Sequence, residues 1–233
     1  MRTERLTIEG LPALLLGERS DRLWLFVHGR MGRKEEAEDF APFAEKRGAQ
    51  VLAVDLPGHG ERTDESPELI PWQVIPELRR VMAAGRAGWS SVSLRANSIG
   101  GWLSMLAFGD TPPERSLFVS PVLDMEKLIG NMLLWAGVTE EELIRRGRIP
   151  TDFGQTLDAE YLRWVRENPI RRWDSPTAIL YAGRDGLTDR STVDGFVSRF
   201  GCELAVMEQG EHWFHTPEQL AVLNAWTEEK TAP

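Results

Sequence analysis

The segment from Val92 to Trp102 constrains the fold of this chain more than any other part of the sequence. A β-branched apolar run leads into Ala96-Asn97-Ser98-Ile99-Gly100, and a stretch of helical spacing follows. Strand and helix backbones pass close together at such a corner, so small residues are needed two positions before and after the serine. Ala96 takes the place of the first glycine of the usual pattern, a departure that the corner tolerates. The turn pushes the hydroxyl of Ser98 outward, which makes this residue a candidate nucleophile.

Apolar runs that resemble buried strands alternate with stretches of helical period along the whole chain. This alternation predicts an α/β fold with a mostly parallel sheet flanked by helices. The predicted strands are residues 6–9, 13–16, 23–27, 51–54, 92–94, 117–119, 178–181 and 204–207. The predicted helices of this layered core are residues 34–47, 71–84 (which Pro76 should kink or delimit), 99–108, 192–200 and 217–229.

The alternation is interrupted once, between the strands predicted at 117–119 and 178–181. No strand is expected there, and three helices are predicted at 125–136, 140–146 and 158–167, the second opened by a capping box at Thr139 and Glu142. We therefore expect a helical cap at residues 121–174, inserted above the carboxyl ends of the strands, and a core made of residues 1–120 and 175–233. The alternative is that these helices only cover the sheet.

Composition excludes several classes of partner. The net charge is −9, from 27 basic and 36 acidic residues, whereas phosphate binding needs a basic footprint, so no nucleic acid is expected. No apolar run approaches the roughly 18 residues that span a bilayer, and no signal segment is visible, so we expect a cytoplasmic protein without membrane insertion. Cys202 is the single cysteine, which excludes an intrachain disulfide and a cysteine-rich metal site.

A serine hydroxyl needs a base to accept its proton during attack, and the base needs an orienting acid. His212 lies in a loop after the last predicted strand, and Asp185 lies in a loop after the preceding one. The order Ser98, Asp185, His212 is the chain order of a strand-corner serine hydrolase. The sequence therefore predicts these three residues as a catalytic triad.

Three residues compete for those roles. Asp189 could replace Asp185, but its position before a helix is typical of an N-terminal cap. Asp124, after the strand at 117–119, is a second spare acid. His215 is close to His212 in sequence, and we favour His212 because the preceding Gly210 gives its loop freedom.

Negative charge develops on the carbonyl oxygen during attack, so two backbone N–H groups must point at it. We expect one from Ile99 and the other from Arg30, with Met31 as the fallback. His28 is expected to hold this loop by hydrogen bonds, and His59 to organise a tight turn. No cluster of histidine and carboxylate residues has the spacing of metal ligands, and no metal is expected.

Taken together, these motifs resemble the α/β-hydrolase superfamily. The residues that carry the resemblance are His28-Gly29, Asp55-Leu56-Pro57-Gly58-His59-Gly60, Ala96-Asn97-Ser98-Ile99-Gly100, Gly183-Arg184-Asp185 and Gly210-Glu211-His212-Trp213-Phe214. Two further segments, 120–125 and 211–215, resemble a bacterial branch of esterases and lysophospholipase-like serine hydrolases. The resemblance implies an eight-stranded, mostly parallel sheet and an acyl-enzyme mechanism that needs no cofactor.

A serine nucleophile favours hydrolysis of carboxylic esters, and aromatic residues suggest a pocket for short or medium acyl groups. The candidate pocket residues are Met31, Trp102, Trp135, Trp164 and Trp213. The alternatives are an amidase or aminopeptidase, for which Glu140–Glu142 is a weak acidic cluster, a thioesterase, or a non-catalytic binding protein of the same fold. The expected partner is a small-molecule ester, and the expected state is a monomer or a homodimer.

Overall fold

Ten strands are present in residues 1–232, which are the residues that the computed structural model describes. They are β1 (Thr3–Ile8), β2 (Leu11–Leu16), β3 (Arg22–Val27), β4 (Gln50–Val54), β5 (Ser91–Asn97), β6 (Ser116–Val119), β7 (Arg148–Pro150), β8 (Thr156–Asp158), β9 (Thr177–Ala182) and β10 (Glu203–Met207). Eight of them form one sheet in the order β1-β2-β4-β3-β5-β6-β9-β10, in which only β2 runs against the others. The predicted eight-stranded, mostly parallel sheet is therefore confirmed.

Helices cover both faces of this sheet. They are α1 (Ala37–Lys46), α2 (Pro71–Gly88), α3 (Ile99–Phe108), α4 (Met125–Trp135), α5 (Glu140–Arg146), α6 (Ala159–Glu167), α7 (Arg190–Phe200) and α8 (Pro217–Lys230). Alternate residues of β3 join opposite cores: Leu25 packs with residues of α2 and α3, whereas Trp24 lies 5.3 Å from the ring of Phe40 on α1. Because both faces are covered, the central strands are apolar throughout their length rather than alternating.

The loops that carry the predicted site residues all leave the sheet at one edge. In a parallel sheet the carboxyl ends of neighbouring strands lie side by side. The loops after β3, β5, β9 and β10 therefore meet at this edge, and they contain respectively Arg30, Ser98, Asp185 and His212.

The predicted break at Pro76 is wrong in one respect, because α2 continues past this residue to Gly88. Proline removes one backbone hydrogen bond from the helix and usually kinks or ends it. Here Leu78, Val81 and Met82, which follow the proline, are buried in the core, and this packing keeps the chain helical.

The segment between β6 and β9 contains the three predicted helices α4, α5 and α6, and the hydroxyl of Thr139 accepts the Glu142 N–H at 3.1 Å as the capping box requires. The expectation that this segment lacks strands is wrong. Strands β7 and β8 form a two-stranded antiparallel hairpin, closed by hydrogen bonds between Thr151 and Gln155. Strands of three residues are too short to show a hydrophobic period, which explains the miss.

Candidate active site

Ser98 lies at a strained corner between β5 and α3. Its backbone angles are φ 51° and ψ −126°, a left-handed conformation that side chains other than glycine rarely adopt. Hydrogen bonds hold the corner from both sides: the Ser98 N–H donates to the Val119 carbonyl at 3.0 Å, and the Ser98 carbonyl accepts from the N–H groups of Gly101 and Val122 at 3.1 Å. The surrounding backbone therefore fixes the direction of the hydroxyl.

The close approach at this corner explains the small residues that flank the serine. A Cβ on Gly100 would lie 2.4 Å from the His28 carbonyl oxygen, a distance that no side chain can occupy. Ala96, two residues before the serine, is fully buried between β3 and β6. Its methyl group fits there, so the replacement of the usual glycine leaves the corner intact.

The structure brings Ser98, Asp185 and His212 together. The Ser98 hydroxyl lies 2.8 Å from His212 Nε2, and His212 Nδ1 lies 2.7 Å from Asp185 Oδ2. The Asp185 side chain is fully buried, and its other oxygen accepts the N–H groups of Leu187 and Thr188 at 2.7 and 3.2 Å. Because these two donors fix the carboxylate, the carboxylate fixes the orientation of the imidazole.

The competing residues lie elsewhere in other roles. Asp189 caps α7 by accepting the Thr192 N–H at 3.0 Å and pairs with Lys127 at 2.6 Å, a hydrogen bond that lowers the pKa of the carboxyl group. Asp124 caps α4 through the Lys127 N–H at 2.9 Å. The ring of His215 donates to the carbonyl of its near neighbour Trp213 at 2.6 Å. None of the three contacts the serine hydroxyl or the ring of His212.

Two buried histidines shape the loop after β3, as predicted for His28 and His59. His28 accepts the Leu56 N–H at Nε2 (3.0 Å) and donates from Nδ1 to the Gly29 carbonyl (2.7 Å). Burial lowers the pKa of His28 to about 4, so its ring is neutral at neutral pH. His59 donates from Nδ1 to its own turn and accepts the Met31 N–H at Nε2 at 3.0 Å.

This arrangement separates the two candidates for the oxyanion donor after β3. The Met31 N–H is already bonded to His59, whereas the Arg30 N–H donates to no acceptor within residues 1–232. Ile99 is the first residue of α3, so its N–H has no acceptor inside the helix. The N–H groups of the two predicted donors, Arg30 and Ile99, are therefore both available. The loop after β3 also approaches the serine closely, because a Cβ on Gly29 would lie 3.1 Å from Ser98 Cβ.

A buried ion pair supports the same loop from below. Lys34 Nζ lies 2.6 Å from Asp55 Oδ2 and 2.7 Å from Glu61 Oε1, and the side chains of Lys34 and Asp55 are 1% and 0% exposed. Burial alone would raise the pKa of Asp55, but hydrogen bonds from the Glu61 N–H and from Lys34 outweigh it, and the pKa is lowered. The carboxylate therefore stays charged and satisfied inside the protein.

The five predicted pocket residues fall into two groups. Met31, Trp135 and Trp213 are exposed to 91, 51 and 76% and lie at the surface. Trp102 is buried on the first turns of α3, and its ring lies 6.3 Å from that of Trp164 on α6. Only the second group lies in the interior, between α3, which follows Ser98, and α6.

Sequence reasoning missed Tyr161, whose ring stacks on that of Trp102 at 6.3 Å and 23°. A signal for it was present, because Tyr161 and Trp164 are three residues apart and therefore share one helix face. Trp72 on α2 completes this aromatic group, 6.1 Å from Trp164.

A cavity of about 490 Å³ lies beyond these aromatic residues, between α4, α6 and α7. It is bordered by Trp102 but not by Ser98 or His212. Within residues 1–232 no three histidine, cysteine or carboxylate side chains are grouped as metal ligands, and no helix is long and apolar enough to cross a membrane.

Sequence comparison adds one finding. The family model described as "Alpha/beta hydrolase family" matches residues 24–233, which is most of the chain. No curated protein is similar enough in sequence to count as a match.

Solved structures resemble this fold over nearly its full length. Est1E from Butyrivibrio proteoclasticus, solved with ferulic acid bound, has a TM-score of 0.76 at 16% identity over 97% of each chain. Alpha/beta hydrolase domain-containing protein 10 from mouse has a TM-score of 0.75 at 13% identity, covering 99% of this chain and 98% of that one. An esterase from Pyrococcus furiosus has a TM-score of 0.69 at 15% identity, covering 98% of this chain and 88% of that one. At these identities the likeness shows the fold alone, and that fold is the predicted one.

Proposed function

Because the chain belongs to the alpha/beta hydrolase family, we propose that it is a serine hydrolase that cleaves carboxylic esters through an acyl-enzyme. The observation that supports this most directly is the continuous hydrogen-bonded path from the Ser98 hydroxyl through His212 to the buried Asp185, with distances of 2.8 and 2.7 Å. A serine with a base in hydrogen-bond contact, and an acid fixing that base, is the arrangement that nucleophilic catalysis needs.

In the first half of the reaction, Ser98 Oγ attacks the acyl carbon while His212 Nε2 accepts the hydroxyl proton. Asp185 holds Nδ1 in its protonated form, so that Nε2 is the nitrogen that can accept, and stabilises the positive charge that forms on the ring. The N–H groups of Arg30 and Ile99 are proposed to bind the developing oxyanion. The imidazolium then protonates the leaving alcohol.

In the second half, His212 removes a proton from water, and the hydroxide formed attacks the acyl group on Ser98. The tetrahedral intermediate collapses, the carboxylic acid leaves and the serine regains its proton. The same two N–H donors serve both halves, since both pass through an oxyanion at the same position. Residues of this chain supply every proton transfer in the cycle.

The acyl group is proposed to be short or medium in length. The rings of Trp102 and Trp164, 6.3 Å apart, occupy the interior between α3 and α6, which disfavours a long chain there. The surface positions of Met31, Trp135 and Trp213 make them candidates for the entrance only. We propose that residues 121–174 act as a cap, because Arg30 Nη2 donates to the Gly154 carbonyl at 2.9 Å and so links the segment to the loop after β3.

The test is labelling of the folded protein with a fluorophosphonate probe, followed by identification of the modified residue. We expect an adduct on Ser98, none in the S98A variant, and loss of ester hydrolysis in that variant by at least about 10³-fold. The D185N variant should retain labelling weakly and lose about 10³-fold to 10⁴-fold in kcat. An unlabelled Ser98 in folded protein would favour a non-catalytic binding protein of the same fold.

A substrate panel separates ester hydrolysis from its alternatives. It consists of 4-nitrophenyl esters of increasing chain length, matched thioesters and aminoacyl anilides. We expect the esters with two to eight carbons to give the highest kcat/KM. An aminopeptidase is disfavoured because Glu140 is paired with Arg166 and Glu142 with Arg146, which leaves these acids at a helix start on the surface.

A further inference from the structure

The side chain of Arg30 is a cation on the loop that touches the serine corner, and it has no charged partner among residues 1–232. Arg30 directly follows Gly29, which touches the serine corner. Its half-buried guanidinium donates to the Gly154 carbonyl at 2.9 Å and, at 3.5 Å, to the Pro67 carbonyl, both of them neutral. An arginine side chain has five N–H donors, so most of its hydrogen-bonding capacity is unused.

Among residues 1–232, no carboxylate lies within ion-pair distance of Arg30, although 36 acidic residues are present in the chain. The carboxylate with the strongest influence on it, Glu68, is paired with Arg148 instead. Arg62 differs from Arg30 in this respect, because two carboxylates, those of Glu65 and Glu77, bind its guanidinium at 2.6 to 3.0 Å. Burial lowers the pKa of Arg30, as expected for a charge that lacks such compensation.

Tyr161 supplies a second unused donor beside it. The Tyr161 hydroxyl has no hydrogen-bond partner among the described residues, and burial raises its pKa, which keeps it a neutral O–H donor. The charge of Arg30 acts on this hydroxyl and stabilises its ionised form. The Tyr161 ring stacks on Trp102, which lies one helical turn beyond Ser98. The two donors are therefore linked to the serine corner from its two sides, Arg30 through the loop after β3 and Tyr161 through Trp102 on α3.

We infer that Arg30 and Tyr161 form an anion-binding subsite and that the preferred substrate is an ester carrying a free carboxylate near its scissile bond. This inference rests on the proposed function for the reaction and on these two side chains for the specificity. A substrate carboxylate would form an ion pair with Arg30, which has no carboxylate partner in the protein, and would accept a hydrogen bond from the Tyr161 hydroxyl. A neutral ester would leave both donors unsatisfied, and a site built to bond a polar group rejects the analogue without it.

The test compares substrates of equal size and different charge. On the acyl side, mono-4-nitrophenyl succinate is compared with 4-nitrophenyl butyrate, which has the same four carbons without the carboxylate. On the alcohol side, 4-carboxyphenyl butyrate is compared with 4-carbamoylphenyl butyrate, whose neutral amide has the same size as the carboxylate. Hydrolysis by S98A serves as the blank for spontaneous cleavage. We expect kcat/KM to favour the anionic member of at least one pair by about tenfold or more.

The variants R30Q and Y161F identify the source of the preference. We expect R30Q to lower the anionic-to-neutral ratio about tenfold to 100-fold and Y161F to lower it about threefold to tenfold, mainly through KM. R166Q is the matched control, because it removes an arginine of α6 that pairs with Glu126 and Glu140 instead, and it should leave the ratio unchanged. Equal losses for charged and neutral esters in R30Q would show that Arg30 only clamps the segment, and would overturn the inference.

Binding of free succinate and butyrate to S98A, measured by calorimetry, keeps the two proposals apart. Succinate binding that R30Q abolishes would support the anion subsite even if Ser98 proved unreactive. Conversely, hydrolysis of neutral esters only, with no Arg30-dependent succinate binding, would retain the proposed function and overturn the subsite.

Discussion

Two regions of the molecule are stabilised by different kinds of interaction. One is the edge of the sheet whose loops carry Ser98, and the other is the inserted segment, residues 121–174. At the loop edge, buried side chains bond to fixed backbone groups, as His28 does with Leu56 and Gly29. In the inserted segment, long exposed side chains such as Arg166 form ion pairs between helices. Buried polar contacts are costly to break, whereas exposed ones exchange readily with water. The loop edge is therefore expected to be more rigid than the inserted segment.

The largest effect is expected from breaking the buried ion pair beneath the loop. Replacement of Lys34 by methionine leaves the fully buried Asp55 carboxylate without its cation, so K34M should lose about 3–5 kcal/mol of unfolding free energy. Chemical denaturation monitored by tryptophan fluorescence measures the loss. The double variant K34M/D55N should be more stable than K34M, because it removes the uncompensated charge. A K34M protein as stable as the wild type would contradict the rigid picture.

Two glycines provide a matched pair across the two regions. A Cβ on Gly100 would meet the carbonyl of His28 at 2.4 Å, whereas a Cβ on Gly130, in α4 of the inserted segment, would meet nothing within 4 Å. We expect G100A to destabilise the protein by about 3 kcal/mol and to reduce labelling of Ser98. G130A should instead stabilise it by about 0.5–1 kcal/mol, since alanine favours the helix. Equal melting temperatures for the two variants would contradict the comparison.

The same division decided what could be predicted from the sequence. The corner at Ser98 was predictable because close backbone packing allows only small residues beside it. The sequence shows such residues at Ala96 and Gly100. Asp185 and His212 followed from the order of strand-end loops, since a parallel sheet brings those loops to one edge. Core strands were also predictable, because burial on both faces makes them continuously apolar.

The inserted segment was predictable in its helices and not in its hairpin or its contacts. Helical spacing and the cap at Thr139 mark α4 to α6, whereas β7 and β8 are too short for a period. The surface positions of Trp135 and Trp213, and the stacking of Tyr161 on Trp102, depend on how the segment docks. Docking is set by tertiary contacts between distant residues, which a single sequence does not display.

Acid should weaken the loop edge before the inserted segment, which contains no histidine. The pKa of His28 is about 4 in the folded protein and 6.5 ordinarily, so the unfolded chain takes up the proton first as the pH falls. The stabilising effect is complete above pH 6.5 and lost toward pH 4; at pH 4.5 the loss is about 2.5 kcal/mol.

Denaturation of the wild type and of H28Q at pH 7.0 and 4.5 measures this difference. H28Q should show a smaller loss between the two pH values than the wild type, and H215Q, which changes a surface histidine, should match the wild type. If H28Q does not fold, an NMR titration of the wild type gives the same information. A His28 ring that became protonated near pH 6.5 would overturn the expectation.

The smallest effect is expected from the exposed ion pairs of the inserted segment. Arg166 on α6 binds Glu126 on α4 at 2.7 Å and Glu140 on α5, and its side chain is 43% exposed. Exposed pairs contribute little, so R166Q should lose less than about 1 kcal/mol of unfolding free energy. In 1 M salt, where the screening length is about 3 Å, that loss should vanish, whereas the loss in K34M should persist because its charges are buried. A loss in R166Q that survives 1 M salt would mean that the inserted segment is held as rigidly as the loop edge that carries Ser98.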